Sequence, residues 1–265
     1  MRILVYCLDL AIQAEQLRFF QEENHFMTEP IAAPAPPPSR GRFALRHQAF
    51  LVATMMFCTF ISLFLFGIRF VKTGETTHGS LIWNLFLAWI PTGLALVAYN
   101  LYHKWSCLGA AIVLPIFPIW LLFFPNAPYL LTDIVHLTAR PEMYYWFDQI
   151  LYLAFAFTGC YLGMISLLLM QSLVRRSLGS WLSWIFAFAA LVLSAFGIYL
   201  GRFTRFNSWE LLTAPKPIFK EILDWFTHPK SNTETFLFAI VFSLFFASIY
   251  FVVVAFVNLG GREKS

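Results

Sequence analysis

Charge is what this sequence has least of. Only 12 % of its 265 residues are Asp, Glu, Lys or Arg, about half the share in an ordinary soluble domain. Against that, 59 % are hydrophobic and 19 % aromatic, so lipid rather than water is the expected solvent. Cysteine is also scarce. Cys7, Cys58, Cys107 and Cys160 form no C-x-x-C pair, and Cys58 and Cys160 lie inside apolar runs, which indicates neither a disulfide framework nor a zinc ribbon. The net charge of +4 is spread without a basic run, so nucleic acid is not an expected partner. The chain also lacks a P-loop, an H-E-x-x-H helix and a nucleophile elbow.

What is present is six windows free of Lys, Arg, Asp and Glu, each long enough to cross about 30 Å of hydrocarbon at 1.5 Å per residue. They run from Ala49 to Ile68, Leu81 to Leu101, Cys107 to Phe124, Gln149 to Leu173, Trp181 to Leu200 and Thr235 to Leu259. Trp83, Tyr99, Tyr102, Trp105, Trp146, Trp181, Trp184 and Tyr199 gather near their ends, where amphipathic rings prefer the headgroup layer. The expected fold is an all-α integral membrane bundle of six transmembrane helices, with both termini on one side.

Basic residues flanking the spans number eight on each side, a tie. The cluster Arg40, Arg42 and Arg46 before the first span, joined by Arg175 and Arg176, favours cytoplasmic termini. Residues 1–48 are expected to form a separate, disordered extension. MRILVYCLDLAIQ opens like a signal peptide, but Asp9, Gln13 and Glu15 interrupt its apolar region, so it is expected to be uncleaved and peripheral. Because MTEPIAAPAPPPSR from Met27 would make an ordinary short tail, residues 1–26 are read as a candidate upstream extension. Pro30, Pro34, Pro36, Pro37 and Pro38 make the following stretch an extended linker. The expected transmembrane domain is 49–259, with a short basic tail at 260–265.

The densest polar chemistry follows the third window, in FPNAPYLLTDIVHL from Phe124 to Leu137. Pro128 suits the first position of a helix, and Asn126 or a neighbour suits its cap. At about 100° per residue, Tyr129, Thr132, Asp133 and His136 share one face, while Leu130, Leu131, Ile134, Val135 and Leu137 take the other. The pattern predicts an amphipathic connecting helix with its polar face towards water. Such a face often serves only solvation, and an Asp near a helix start complements the dipole. Asp133 and His136 are nonetheless candidates for proton transfer. A metal is not expected, because a D-x-x-H pair falls short of three or four ligands and only Glu142 and Asp148 lie near it in sequence. No cofactor is expected.

A second polar group, GRFTRFNSWELL from Gly201 to Leu212, follows the fifth window. In a six-span topology it opens on the same side as the first. Asp133 and Asp148 can therefore meet Arg202 and Arg205, which project together if the helix continues. Asn207, Ser208 and Trp209 follow, and Asn207 and Trp209 complete the candidate binding set with Asn126, Tyr129, Thr132, Asp133, His136, Asp148, Arg202 and Arg205. These arginines could equally tie two loops together, reach lipid phosphates, or hold an anionic headgroup or small ligand. Gly159 with Gly163, and Gly197 with Gly201, make G-x-x-x-G pairs expected to seat neighbouring helices. Pro91, Pro115 and Pro118 should kink or break spans two and three. Pro217 to Phe226 has the amphipathic pattern of a helix lying on the outer leaflet.

F-P-N-A-P-Y-L-L-T-D at Phe124 to Asp133, W-F-D at Trp146 to Asp148, and G-R-F-T-R-F-N-S-W at Gly201 to Trp209 together resemble a family of bacterial multi-pass membrane proteins known as a domain of unknown function. The resemblance runs from roughly Phe50 to Val257, with Phe206 where the family pattern would carry Trp. It implies residence in a bacterial inner membrane and brings no activity or cofactor. Three functions remain open: a non-catalytic membrane subunit or binding module whose partner is a lipid or another membrane protein, a surface enzyme acting on a lipid headgroup or lipid-linked substrate, and a small-molecule transporter. A transporter is expected to place charges within its spans, and the charge-free windows hold none.

Overall fold

The computed structural model describes residues 40–74, 78–137, 145–206 and 210–262. Asn207, Ser208, Trp209, Glu142 and the extension before Arg40 fall outside them. Among the described residues all regular structure is helical: α1 Arg40–Thr73, α2 Gly79–Phe123, α3 Asn126–Tyr129, a 3₁₀ segment Leu130–His136, α4 Tyr145–Leu178, α5 Ser180–Arg202, α6 Glu210–Thr213, α7 Pro215–Thr227 and α8 Thr233–Arg262.

Six stretches are long and apolar enough to span a membrane: Phe50–Thr73, Gly79–Tyr102, Val113–His136, Tyr145–Leu178, Ser180–Arg202 and Thr233–Val257. The protein is a six-span helical membrane bundle. Two spans share α2, whose backbone hydrogen bonding is helical throughout but whose ends run in opposite directions along α4. Thr92 Oγ1 donates to the Leu162 carbonyl (3.1 Å) and the Tyr102 hydroxyl meets Ser177 (3.1 Å), whereas Trp120 Nε1 returns to Ser166 Oγ (2.6 Å). A straight helix would carry Trp120 roughly 27 Å beyond Tyr102. The second and third spans therefore run antiparallel along α4.

The fourth span is the hub. Its most apolar window is 72 % buried, against 11 % for the first and sixth spans, and it packs on α1, α2, the 3₁₀ segment and α5. Apolar faces gain little from one another in lipid, so small residues and buried hydrogen bonds carry the specificity. Ser62 and Thr158 hydroxyls pair at 3.0 Å, Trp89 Nε1 donates to Thr59 Oγ1 at 3.1 Å, and the Tyr250 hydroxyl donates to Gln171. Gly179, at φ 90°, makes the tight reversal from α4 to α5. Arg175 and Arg176 in the last turn of α4 complement its dipole.

The glycine pairs do more than seat helices. A Cβ on Gly159 would strike the Ala127 carbonyl and sit 2.7 Å from Leu130 Cδ1, and one on Gly163 would sit 3.2 Å from Ala127 Cβ. A Cβ on Gly197 would approach Pro125 Cγ to 2.7 Å, and one on Gly201 would lie 3.2 Å from Tyr129 Cε2. The four glycines line a slot between α4 and α5, and the segment Pro125–Leu130 fills it.

Candidate functional site

The spans stay apolar until their ends, and one end of the bundle gathers the polar chemistry. It combines the close of α1, the start of α2, the segment Asn126–His136, the start of α4 and the close of α5. The connecting segment differs from its expected form. Asn126 is the first residue of α3, Pro125 takes the cap position and Pro128 lies two places further in, so Pro128 does not start the helix and Asn126 does not cap it. Asn126 Nδ2 instead donates back to the Phe123 carbonyl (3.0 Å), covering an orphan acceptor at the end of α2. After one turn the chain tightens to 3₁₀, in which residues three apart eclipse. Leu130, Asp133 and His136 thereby align along one edge. The slot against Gly159 favours this narrower form, which sequence periodicity does not distinguish from an α-helix.

The predicted polar face is divided: His136 is exposed, but Asp133 is not. Asp133 is 3 % exposed and turned into the bundle, while Val135 on the expected apolar side is 70 % exposed. Arg202, on the last turn of α5, makes this burial tolerable. Its Nη2 donates to Asp133 Oδ1 (2.5 Å) and Thr132 Oγ1 (2.7 Å), Nε donates to Thr132 Oγ1 (3.1 Å), and Nη1 donates to His136 Nε2 (2.6 Å). Guanidinium can only donate, so His136 accepts at Nε2 and carries its proton on Nδ1. The Arg202 guanidinium also lies over the Tyr129 ring, 4.5 Å from its centroid. On the far side of Asp133, Asn84 Nδ2 donates to Oδ2 (2.8 Å). Since a carboxylate only accepts, this contact also fixes the orientation of the Asn84 amide.

Asp148 does not join this group. It pairs with Arg69, which donates from Nε to Oδ1 (2.6 Å) and from Nη2 to Oδ2 (3.1 Å). His78 lies 3.9 Å from the same carboxylate and meets the Tyr152 hydroxyl at 2.9 Å. Tyr152 thereby joins the Arg69–Asp148 pair through His78. Arg69 with Asp148 and Arg202 with Asp133 thus form two ion pairs across helices at the ends of the spans. Arg205 does not project beside Arg202. The helix ends at Arg202, Arg205 takes the left-handed region at φ 60°, and the turn lets the Phe206 N–H reach the Leu200 carbonyl (3.1 Å). Arg205 is exposed.

Sequence reasoning missed Arg69, His78, Asn84 and Tyr152. Asn84 was detectable as one of only two amides, with Asn100, inside an otherwise apolar window. Arg69 carried a weaker signal, because a basic residue at a span end ordinarily meets lipid headgroups.

Beside the network lies a cavity of about 480 Å³, within the usual range of small-molecule sites, roughly 300–1,000 Å³. Trp83, Asn84 and Leu87 form one wall, Pro118 to Tyr129 a second, and Leu193 to Gly201 of α5 a third. The amphipathic α7 closes it, burying Ile218 and Trp225 while Phe219 and Leu223 stay exposed. From Gly201 to Leu193 the wall runs roughly 12 Å along the helix. Among the described residues no three His, Cys, Asp or Glu side chains cluster as a metal would require.

Tyr129 and Asn84 belong to both features, facing the cavity and touching Arg202 or Asp133. No curated protein and no solved structure matches the chain. A family model described as a protein of unknown function (DUF1361) matches residues 83–249, which takes in Asn84, the connecting segment, Arg202 and α7 but not Arg69. The chain belongs to that family.

Proposed function

We propose that this protein is a non-catalytic membrane binding module whose ligand is an amphiphile held in the cavity between α2, α5 and α7. The observation that carries this reading is the cavity's polarity. Its walls are aromatic and aliphatic, and of its few polar side chains Asn84 and Tyr129 adjoin the ion-pair network through Asp133 and Arg202, with Asn126 a third on the lining. An apolar enclosure with a few convergent polar groups is the usual form of a small-molecule site. A surface enzyme using Asp133 as base is less well supported, because both of its oxygens are occupied and the side chain is buried. The same reading takes the protein to reside in a bacterial inner membrane, with both termini cytoplasmic and the cavity on the outer face. The basic residues Arg40, Arg42, Arg46, Arg175 and Arg176 support that orientation.

Native mass spectrometry of the protein released from mild detergent tests the proposal. The wild type should carry a bound amphiphile that Leu200→Trp, which fills the cavity, no longer retains. Equal retention by a folded Leu200→Trp protein would overturn it.

A further inference from the structure

The chemistry of the ligand's head follows from what lines the cavity, given the binding reading above. Tyr129 apart, none of the described residues that line it ionises. Arg202 and Asp133 beside it neutralise one another and lie behind Tyr129 and Asn84, and the Glu221 carboxylate accepts from the indole N–H of the lining Trp225. A charged head would lose its hydration here without gaining a counter-ion, a cost of several kcal/mol.

The uncharged groups are arranged for a hydroxyl. Asn84 spends one amide hydrogen on Asp133 and keeps a carbonyl oxygen and a second N–H. Donation to a carboxylate polarises the amide and makes that oxygen a stronger acceptor. The Tyr129 hydroxyl makes no hydrogen bond among the described residues, although its ring is fixed between Gly201 and Arg202. A group that both donates and accepts satisfies the two together.

We propose that the cavity binds an uncharged, hydroxyl-headed amphiphile, such as a long-chain or isoprenoid alcohol or a diacylglycerol, with the hydroxyl held by Tyr129 and Asn84 and the chain lying along α5 beneath α7. A phospholipid with an anionic head is excluded by the same lining. Phe196, Trp225 and Phe226 on the walls suit an unsaturated chain through their flat faces.

Trp83 and Trp225 line the cavity and supply the readout. The full-length protein in phosphatidylcholine vesicles is titrated with a long-chain alcohol brominated on its chain, and with the alkyl sulfate and quaternary ammonium of the same brominated chain. Saturable quenching is compared with that of the Trp83→Phe/Trp225→Phe variant. The alcohol should bind at least roughly ten-fold tighter than either charged probe, and Tyr129→Phe should weaken it roughly two- to ten-fold, the worth of one hydrogen bond. The Phe ring preserves the packing on Gly201 and Arg202. Equal or tighter binding of a charged probe overturns the head-group inference while leaving the binding module intact. Unchanged alcohol affinity in Tyr129→Phe removes the assigned contact and overturns it as well. If no probe quenches saturably, the binding module itself fails.

Discussion

Arg202 and Asp133 join the end of the fifth span to the connector after the third through an ion pair of 2.5 Å, with side chains only 11 % and 4 % exposed. Both charges are largely withdrawn from water, the carboxylate more than the guanidinium, so each depends on the other. The arginine has further partners in Thr132, His136 and the Tyr129 ring, and the carboxylate has Asn84. Such a pair fixes geometry more than it adds net stability, because desolvation offsets most of the attraction.

Removing one partner should therefore cost far more than removing both. Arg202→Met or Asp133→Leu alone is expected to destabilise the protein by about 3–5 kcal/mol, whereas the double variant should recover most of that loss. Thermal unfolding in dodecyl maltoside across the double-mutant cycle checks this. Additive losses would mean that the two side chains act independently.

The slot that holds Pro125–Leu130 makes a contrast among glycines. Gly159→Ala drives a methyl group into the Ala127 carbonyl and Leu130, both backed by packed helix. It should cost about 1–3 kcal/mol and displace the 3₁₀ segment with Asp133. Gly93, also helical, has nothing within 4 Å of an added Cβ, and Gly93→Ala should stabilise by about 0.5–1 kcal/mol. Equal effects in the same unfolding assay would remove the steric account of the slot.

The spans were legible because charge is excluded from hydrocarbon, and six charge-free windows leave little freedom. That Asp133 and Arg202 share an end was legible from span parity alone. Their immediate surroundings were not. The spacing of Tyr129, Thr132, Asp133 and His136 fits an α-helical face, but packing against Gly159 selects 3₁₀ geometry and turns the carboxylate inward. Asp148 had several candidate arginines on its side of the membrane, and only tertiary placement pairs it with Arg69. The cavity left no local signal, since its walls come from four segments far apart in sequence.

Arg205 offers a test of role against conformation. Its φ of 60° lies in a region that costs a non-glycine residue about 1–2 kcal/mol. Arg205→Gly should raise stability by about 1 kcal/mol, less than the full strain because glycine is also freer when unfolded. Retained amphiphile binding in this variant would assign Arg205 to the turn alone. Lost binding with improved stability would show that the guanidinium reaches the ligand.

The membrane orientation rests on where the basic residues cluster, and labelling can decide it directly. Lys216, Lys230 and Arg176 are exposed, the first in the opening turn of α7, the second just after that helix and the third at the opposite end of α4. With Cys7, Cys58, Cys107 and Cys160 replaced, a single cysteine at each position is offered to a membrane-impermeant thiol reagent on intact cells. Lys216→Cys and Lys230→Cys should label from outside, and Arg176→Cys only after permeabilisation. The reverse pattern would invert the bundle and open the cavity towards the cytoplasm, so that its ligand would enter from the inner leaflet. Labelling of all three from one side would contradict the number of spans, because α5 alone separates Arg176 from α7 and must cross the membrane for the bundle to close.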